Sequence, residues 1–175
     1  MSILVAGIGN IFLGDDGFGC EVLRLLAGAT LPPETKVVDY GIRGLDLAYA
    51  LLDSHPAVIF VDALPRGEAP GTVYVLRPAD SERKPDMALD PHSMDPMHLM
   101  AMARSLGDIT SEIFIVGCEP LDFGDELEGR MGLSQPVAAA MPEAARTVLE
   151  LVERIHSRDG SLGREPMCAV PSPAS

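Results

Sequence analysis

The stretch that decides the fold is Ile3-Leu4-Val5-Ala6-Gly7-Ile8-Gly9-Asn10-Ile11-Phe12-Leu13-Gly14-Asp15-Asp16-Gly17-Phe18-Gly19-Cys20. Its apolar beginning predicts a short buried strand, and the glycines that follow predict a tight exit from that strand. Asp15 or Asp16 could cap a following helix, because a carboxylate accepts hydrogen bonds from the free N–H groups of a first turn. The same order, a buried strand followed by polar residues, recurs later in the chain.

Strands and helices alternate along the rest of the sequence. Further strands are predicted at 35–39, 57–62, 72–76 and 112–117, and helices from Asp16 to about Ala27 and at 45–52, 94–104 and 134–156. The link from Pro65 to Gly71 is too short for a parallel crossover, so the strand after it should lie antiparallel at an edge. The predicted fold is therefore a three-layer α/β sandwich, with a five-stranded, mostly parallel sheet, one antiparallel edge strand and helices on both faces.

Two of the predicted helices carry an apolar face. In the first helix, a buried stripe at helical spacing is predicted for Phe18, Val22, Leu25 and Leu26. In the last helix, Pro142 lies within the apolar pattern and predicts a kink or a later start. The expected organisation is a single α/β domain over residues 1–156, followed by a Ser-, Pro- and Gly-rich stretch, 157–175, that is typical of a flexible tail.

Composition restricts the partners. The net charge of −13 repels nucleic acid and anionic membranes, whereas a metal cation or a basic protein surface would be attracted. The sequence contains no apolar run of the length a membrane span needs, and its N-terminus lacks the basic region of a signal peptide, so the expected location is the cytoplasm. The three cysteines include no CxxC pair and suggest neither a disulfide framework nor a structural zinc site.

Three side chains with metal-ligand chemistry fall in or beside predicted loops: Asp16, Asp62 and His92. The ends of the first and third strands can be neighbours in a parallel sheet, so the two carboxylates could meet in one cleft. Two carboxylates and one imidazole suit a loosely held divalent first-row metal ion. Each residue also has a simpler interpretation: Asp16 as a helix cap, Asp62 as a turn acceptor and His92 as a solvent-facing loop histidine.

Other chemistries fit less well. The Gly7-Ile8-Gly9 turn suggests a dinucleotide site, but Phe12 stands where the third glycine of that fingerprint belongs, and the aspartates that follow would repel phosphate. No nucleophile elbow of a serine hydrolase is present. Cys20 lies in a predicted helix, and Glu119 beside Cys118 should raise the pKa of that thiol, so neither cysteine is expected to act as a nucleophile.

Taken together, these residues resemble the hydrogenase maturation endopeptidases, a family that removes a C-terminal extension from the large subunit of nickel-iron hydrogenases after nickel insertion. The resemblance begins with the opening stretch and continues in the same order through most of the domain. The later segments are Asp39 with Gly41 and Gly44, Val61-Asp62-Ala63, Pro70-Gly71-Thr72, Pro91-His92, Val116-Gly117-Cys118-Glu119-Pro120 and Gly132-Leu133-Ser134. The fold of that family, an α/β sandwich around a five-stranded sheet, agrees with the predicted architecture.

The resemblance implies roles for particular residues. Asp16, Asp62 and His92 fall on the metal-binding positions of the family, with an aspartate at the first position where some members have a glutamate. The loop after the second strand implies substrate-binding positions, which are Asp39, Gly41, Arg43 and Gly44. Arg43 departs from the small hydroxyl residue of many relatives, and its guanidinium could pair with a carboxylate of the substrate.

The implied activity is cleavage of a large-subunit precursor that presents its own nickel, although zinc would suit the same ligands. The catalytic group is not identified by the sequence; Asp16 and Asp62 are candidates. The metal could mark and align the scissile bond, or it could act as a Lewis acid. Two other functions stay open: a chaperone that senses nickel on the large subunit without cutting it, and a small nucleotide-binding enzyme.

Overall fold

The computed structural model of the chain describes residues 2–78, 95–125 and 127–162. Its strands are β1 (Ile3–Ile8), β2 (Thr35–Gly41), β3 (Ala57–Ala63), β4 (Val73–Leu76) and β5 (Glu112–Cys118). Its helices are α1 (Phe18–Leu26), α2 (Gly44–Ala50), α3 (Pro96–Leu106) and α4 (Gln135–Leu162), and a 3₁₀ turn, Gly14–Gly17, precedes α1. His92 and residues 163–175 of the predicted tail lie outside the described residues.

The five strands form one sheet in the order β2-β1-β3-β5-β4. β1 pairs in parallel with both β2 and β3, and β3 pairs in parallel with β5, whereas β4 runs antiparallel to β5 at the edge. The predicted sheet and its antiparallel edge strand are therefore confirmed. Since β1 and β3 are neighbours, the loops that follow them open at the same edge of the sheet.

Both faces of the sheet are covered by helices, and the central strand β3 has buried apolar side chains on each face. Ile59 and Val61 face a core that includes residues of α1 and α4, and Val58 and Phe60 face a second core with residues of α2 and α3. This is the predicted three-layer sandwich. Side chains alternate between the two faces of a strand, so Asp62 lies on the same face as Val58 and Phe60.

The buried stripe predicted for α1 is partly wrong. Leu25 is 47% exposed, whereas Leu23 is buried. A backbone contact explains the difference, because the helix approaches the sheet most closely at Gly19, where an added Cβ would lie 2.1 Å from the carbonyl oxygen of Val61. The buried side of α1 is centred near this glycine, which a pattern of large apolar residues does not reveal.

The predicted caps of the first helix are also corrected. The N-cap of α1 is Gly17, and no side chain bonds to the helix at that position. Asp15 and Asp16 instead lie in the preceding 3₁₀ turn, where their carboxylates bond to other parts of the chain. In contrast, Asp95 does cap α3 and accepts a hydrogen bond from the backbone N–H of His98.

The last helix is longer than expected. α4 starts at Gln135 and runs through Pro142, so the alternative of a later start is wrong. The helix continues to Leu162, beyond the predicted end at His156. Pro142 lies on the exposed side of α4, where water can bond the carbonyl group that a proline leaves free. Across the described ranges, none of the helices is long and apolar enough to cross a membrane.

Candidate active site

Asp62 is a carboxylate at the carboxyl end of a fully buried strand. Its side chain is itself buried, and burial raises the pKa well above its ordinary value. The negative charges of Asp16 and Asp95 raise it further, while a hydrogen bond from the backbone of Ala63 acts in the opposite direction. These surroundings therefore destabilise the ionised form of Asp62 relative to its neutral form.

Asp16 is presented by the 3₁₀ turn that follows β1. The backbone N–H of Asn10 donates to Asp16 Oδ2 at 2.7 Å, and burial raises the pKa of this carboxyl despite that bond. Gly9 has a φ of +122°, and a Cβ at this position would lie 1.8 Å from the carbonyl oxygen of Asp16. The glycine turn of the opening stretch thus makes room for the backbone of Asp16, which gives it a structural role that needs no bound phosphate.

The two predicted carboxylate ligands meet at one edge of the sheet, as the strand order requires. Asp16 lies in the turn after β1, and Asp62 lies at the carboxyl end of the adjacent strand β3. Burial raises the pKa of both carboxyl groups. A divalent cation fits this pair, since it would offset both the burial and the mutual repulsion of the carboxylates. The third predicted ligand, His92, is outside the described residues, and within those residues no three His, Cys, Asp or Glu side chains are grouped to hold a metal.

Asp95 is a third carboxylate near this edge that the sequence analysis missed. It is the N-cap of α3, and its charge acts on Asp62. An aspartate directly before a proline is a typical helix start, so the capping role could have been predicted from Asp95-Pro96. This electrostatic interaction places the start of α3 on the side of the sheet that carries Asp62, and His92 stands three residues earlier in the sequence.

Asp15 has a role that its position in the sequence does not reveal. Its carboxylate is fully buried and accepts hydrogen bonds from the backbone N–H groups of Leu121 (2.8 Å), Asp122 (3.0 Å) and Ser134 (2.6 Å) and from the Ser134 hydroxyl (2.8 Å). Burial alone would raise the pKa of Asp15, but the hydrogen bonds together lower it below its ordinary value. Asp15 therefore fixes both ends of loop 121–134 to the turn that carries Asp16.

The predicted substrate-binding residues surround the carboxyl end of β2. Asp39 is exposed, and Gly41 has a φ of +53° and accepts a hydrogen bond from the backbone N–H of Gly9. The Arg43 guanidinium donates to the backbone carbonyls of Asp39 and Tyr40 and lies 3.7 Å from the Asp46 carboxylate. Gly44 is buried at the start of α2. The loop thus lies beside the exit of β1, and Arg43 bonds within it while its side chain stays 57% exposed.

The two described cysteines do not have the properties of nucleophiles. Burial, followed by the nearby Asp39, raises the pKa of Cys20 to about 12. Burial also raises the pKa of Cys118 to about 12, with Asp15 and Glu119 as further causes. A thiol reacts as a nucleophile only when it ionises, so the expectation that neither cysteine is catalytic agrees with this geometry.

Comparison with known proteins identifies the family. The HycI family model, described as hydrogenase maturation protease, matches residues 20–151. The chain belongs to the hydrogenase maturation protease family. This protease is 32% identical to the hydrogenase expression/formation protein HoxM of Azotobacter vinelandii over 172 residues, which cover 93% of the chain and 80% of HoxM. It is 27% identical to the hydrogenase 2 maturation protease of Escherichia coli over 150 residues, or 85% of the chain and 89% of that protein.

The fold agrees with the same assignment. The structure of the hydrogenase maturating endopeptidase HybD from Escherichia coli matches the protease with a TM-score of 0.68 and 27% identity, over 88% of this chain and 93% of HybD. The predicted family, fold and peptidase activity are therefore confirmed. The two Escherichia coli relatives are named as a maturation protease and a maturating endopeptidase, which favours an endopeptidase over a chaperone that only binds or an enzyme that binds nucleotides.

Proposed function

We propose that this protease acts in the cytoplasm and removes the C-terminal extension of a nickel-iron hydrogenase large-subunit precursor after nickel has been inserted. The observation that carries the proposal is the convergence of Asp16 and Asp62 at the carboxyl edge of the sheet, with the pKa of each raised by burial. The hydrogenase maturation proteases that resemble this chain supply the class of substrate.

In this proposal the nickel arrives as part of the substrate. Asp16, Asp62 and His92 offer two oxygen donors and one nitrogen donor, a set that binds divalent first-row metals and would also accept zinc. Three protein ligands leave coordination positions for groups of the precursor. An ion seated in the precursor would offset the repulsion between the carboxylates, so a loaded precursor binds more tightly than an empty one.

The chemical step is hydrolysis of one peptide bond. One water molecule adds to the scissile carbonyl, the C–N bond breaks, and the extension leaves with a new amino group while the large subunit keeps a new carboxylate. Asp16 and Asp62 are the candidates for the base that takes the proton of the water, because a raised pKa brings a carboxylate closer to neutral pH. The nickel aligns the scissile bond, and Lewis-acid activation is the alternative role for the same ion.

In this proposal, the loop after β2 binds the C-terminal extension of the precursor. Asp39 is exposed there, Gly41 and Gly44 shape the backbone, and Arg43 presents a guanidinium that could pair with a carboxylate of the substrate. This loop is hydrogen-bonded to Gly9 through the carbonyl of Gly41, and Gly9 packs closely against the backbone of Asp16. A peptide lying along it would therefore reach the two carboxylates.

The substitution Asp62→Asn tests the site. It keeps the shape of the side chain but removes the charge, so we expect precursor cleavage to slow by at least about 100-fold, the scale on which a group needed in the transition state acts. Thermal unfolding should show no loss of stability, because a buried charge is replaced by a neutral group. The matched control is Asp108→Asn, an exposed aspartate beyond the far end of α3, which should cleave at the parental rate. Parental cleavage by Asp62→Asn would refute the assignment.

A further inference from the structure

Two loops at the carboxyl edge of the sheet are joined into one unit. The backbone N–H of Arg130 donates to the carbonyl of Phe12, and the N–H of Gly14 donates to the carbonyl of Arg130, both at 2.7 Å. Leu13 and Arg130 form an isolated bridge, and the N–H of Asp15 donates to the carbonyl of Asp122. The buried Asp15 carboxylate completes the connection. The segment after β1 and the segment after β5 are therefore held in one arrangement next to Asp16.

This unit exposes large apolar side chains. We call them the apolar rim: Phe12, Leu121, Phe123, Leu127 and Met131. Leu127 is 96% exposed, Met131 70% and Phe12 55%. Single exposed apolar residues are ordinary on a protein surface. Several exposed apolar side chains on two loops that are hydrogen-bonded to each other indicate an interaction site. Aromatic residues and methionine are also the types enriched where proteins bind each other.

The surroundings of the rim are acidic. Residues 120–134 contain four acidic residues and one arginine, and that arginine, Arg130, is paired with Asp122 at 2.6 Å. Asp125 and Glu128 are exposed beside the rim. An apolar surface bordered by carboxylates complements an apolar surface bordered by lysines and arginines.

We propose that the apolar rim is the docking surface for the folded body of the large-subunit precursor, which contacts it with an apolar patch bordered by basic residues. This inference rests on the proposed function and adds a second contact, separate from the β2 loop that receives the extension. The rim is bonded to the turn that carries Asp16, so docking there brings the body of the precursor next to the site. The hydrogen bonds of Phe12, Gly14 and Asp15 to Asp122 and Arg130 already order these residues, so little further ordering of them is needed on binding.

The experiment measures binding and cleavage of the nickel-loaded precursor separately, with the double variant Phe12→Ser/Met131→Ser. Both side chains are largely exposed, so the fold should be retained, and thermal unfolding checks this. We expect the Kd to rise at least about tenfold, as for loss of interface anchors. The single-turnover cleavage rate at saturating protease should stay within about twofold, because the site is intact. For the parent, the Kd should increase with ionic strength, since salt weakens the attraction of unlike charges.

The matched control is Leu106→Ser, which changes an exposed leucine at the end of α3 that is remote from Asp95. Its Kd should equal that of the parent. An unchanged Kd for the double variant would overturn the docking surface while leaving the protease function intact. If the parent binds the precursor without cutting it and the double variant binds it weakly, the proposed function fails and the docking surface stands. Absence of any binding by the parent would overturn both.

Discussion

Asp15 and Asp16 are neighbours in the sequence, but the surroundings of their carboxylates have opposite effects. Asp15 accepts four hydrogen bonds, and its pKa is lowered. Asp16 accepts one hydrogen bond, from Asn10, and burial raises its pKa. The first residue is therefore stable as an anion and holds the loops together, whereas the second is the one that a bound cation would stabilise.

The substitution Asp15→Asn should destabilise the protein. An amide presents N–H donors to the backbone N–H groups that the carboxylate now satisfies, so we expect the free energy of unfolding to fall by about 2–3 kcal/mol in urea titrations at pH 7. The control Asp122→Asn weakens an exposed ion pair with Arg130 and should cost no more than about 1 kcal/mol. Equal losses for both variants would contradict the role of Asp15.

The effect of Asp15→Asn should also depend on pH. The pKa of Asp15 is lower in the folded protein than in the unfolded chain, so its carboxylate contributes stability above the unfolded pKa of about 3.9. That contribution is lost as the pH falls through the lowered pKa of the folded state. The difference in unfolding free energy between parent and variant should therefore be largest near neutral pH and shrink below about pH 4.

Among the secondary-structure elements, α1 shows most clearly how a glycine sets the packing. A Cβ at Gly19 would lie 2.1 Å from the carbonyl oxygen of Val61 and 2.5 Å from that of Ile8. We expect Gly19→Ala to force α1 away from β1 and β3 and to lower the free energy of unfolding by about 3 kcal/mol. Because Asp16 lies in the turn just before this helix, precursor cleavage should also slow.

The matched control for Gly19→Ala is Gly28→Ala, just after α1. A Cβ at Gly28 would come no closer than 3.8 Å to the carbonyl oxygen of Leu25, so its unfolding free energy should change by less than about 1 kcal/mol. Urea titrations of both variants make the comparison. If the two alanines have the same effect, close packing at Gly19 does not fix the position of α1.

The strands could be predicted because burial on both sides leaves a local pattern, as in Ala57 to Asp62. The same pattern marked Asp62 as a polar residue at a buried strand end. Leu25 was wrongly predicted as buried, since the backbone contact at Gly19 leaves no apolar signal. The role of Asp15 could not be predicted because its partners, Leu121, Asp122 and Ser134, lie more than 100 residues further along the chain.

At the scale of the whole molecule, the strand order, the charge and the surface are consistent with one function. The order β2-β1-β3 brings the β2 loop, Asp16 and Asp62 to the same edge of the sheet. The apolar rim borders that edge, and the net charge of −13 favours a partner with basic groups. A large folded substrate that carries both a cation and a C-terminal peptide would satisfy all three features.

The most direct measurement is the intact mass of a nickel-iron hydrogenase large-subunit precursor after incubation with this protease, once nickel-loaded and once metal-free. The expected result is loss of a C-terminal peptide from the loaded precursor alone, because in the proposed function the ion would offset the repulsion between Asp16 and Asp62. Equal cleavage of both forms would contradict nickel as the recognition mark, and an unchanged mass in both would contradict processing of this substrate class.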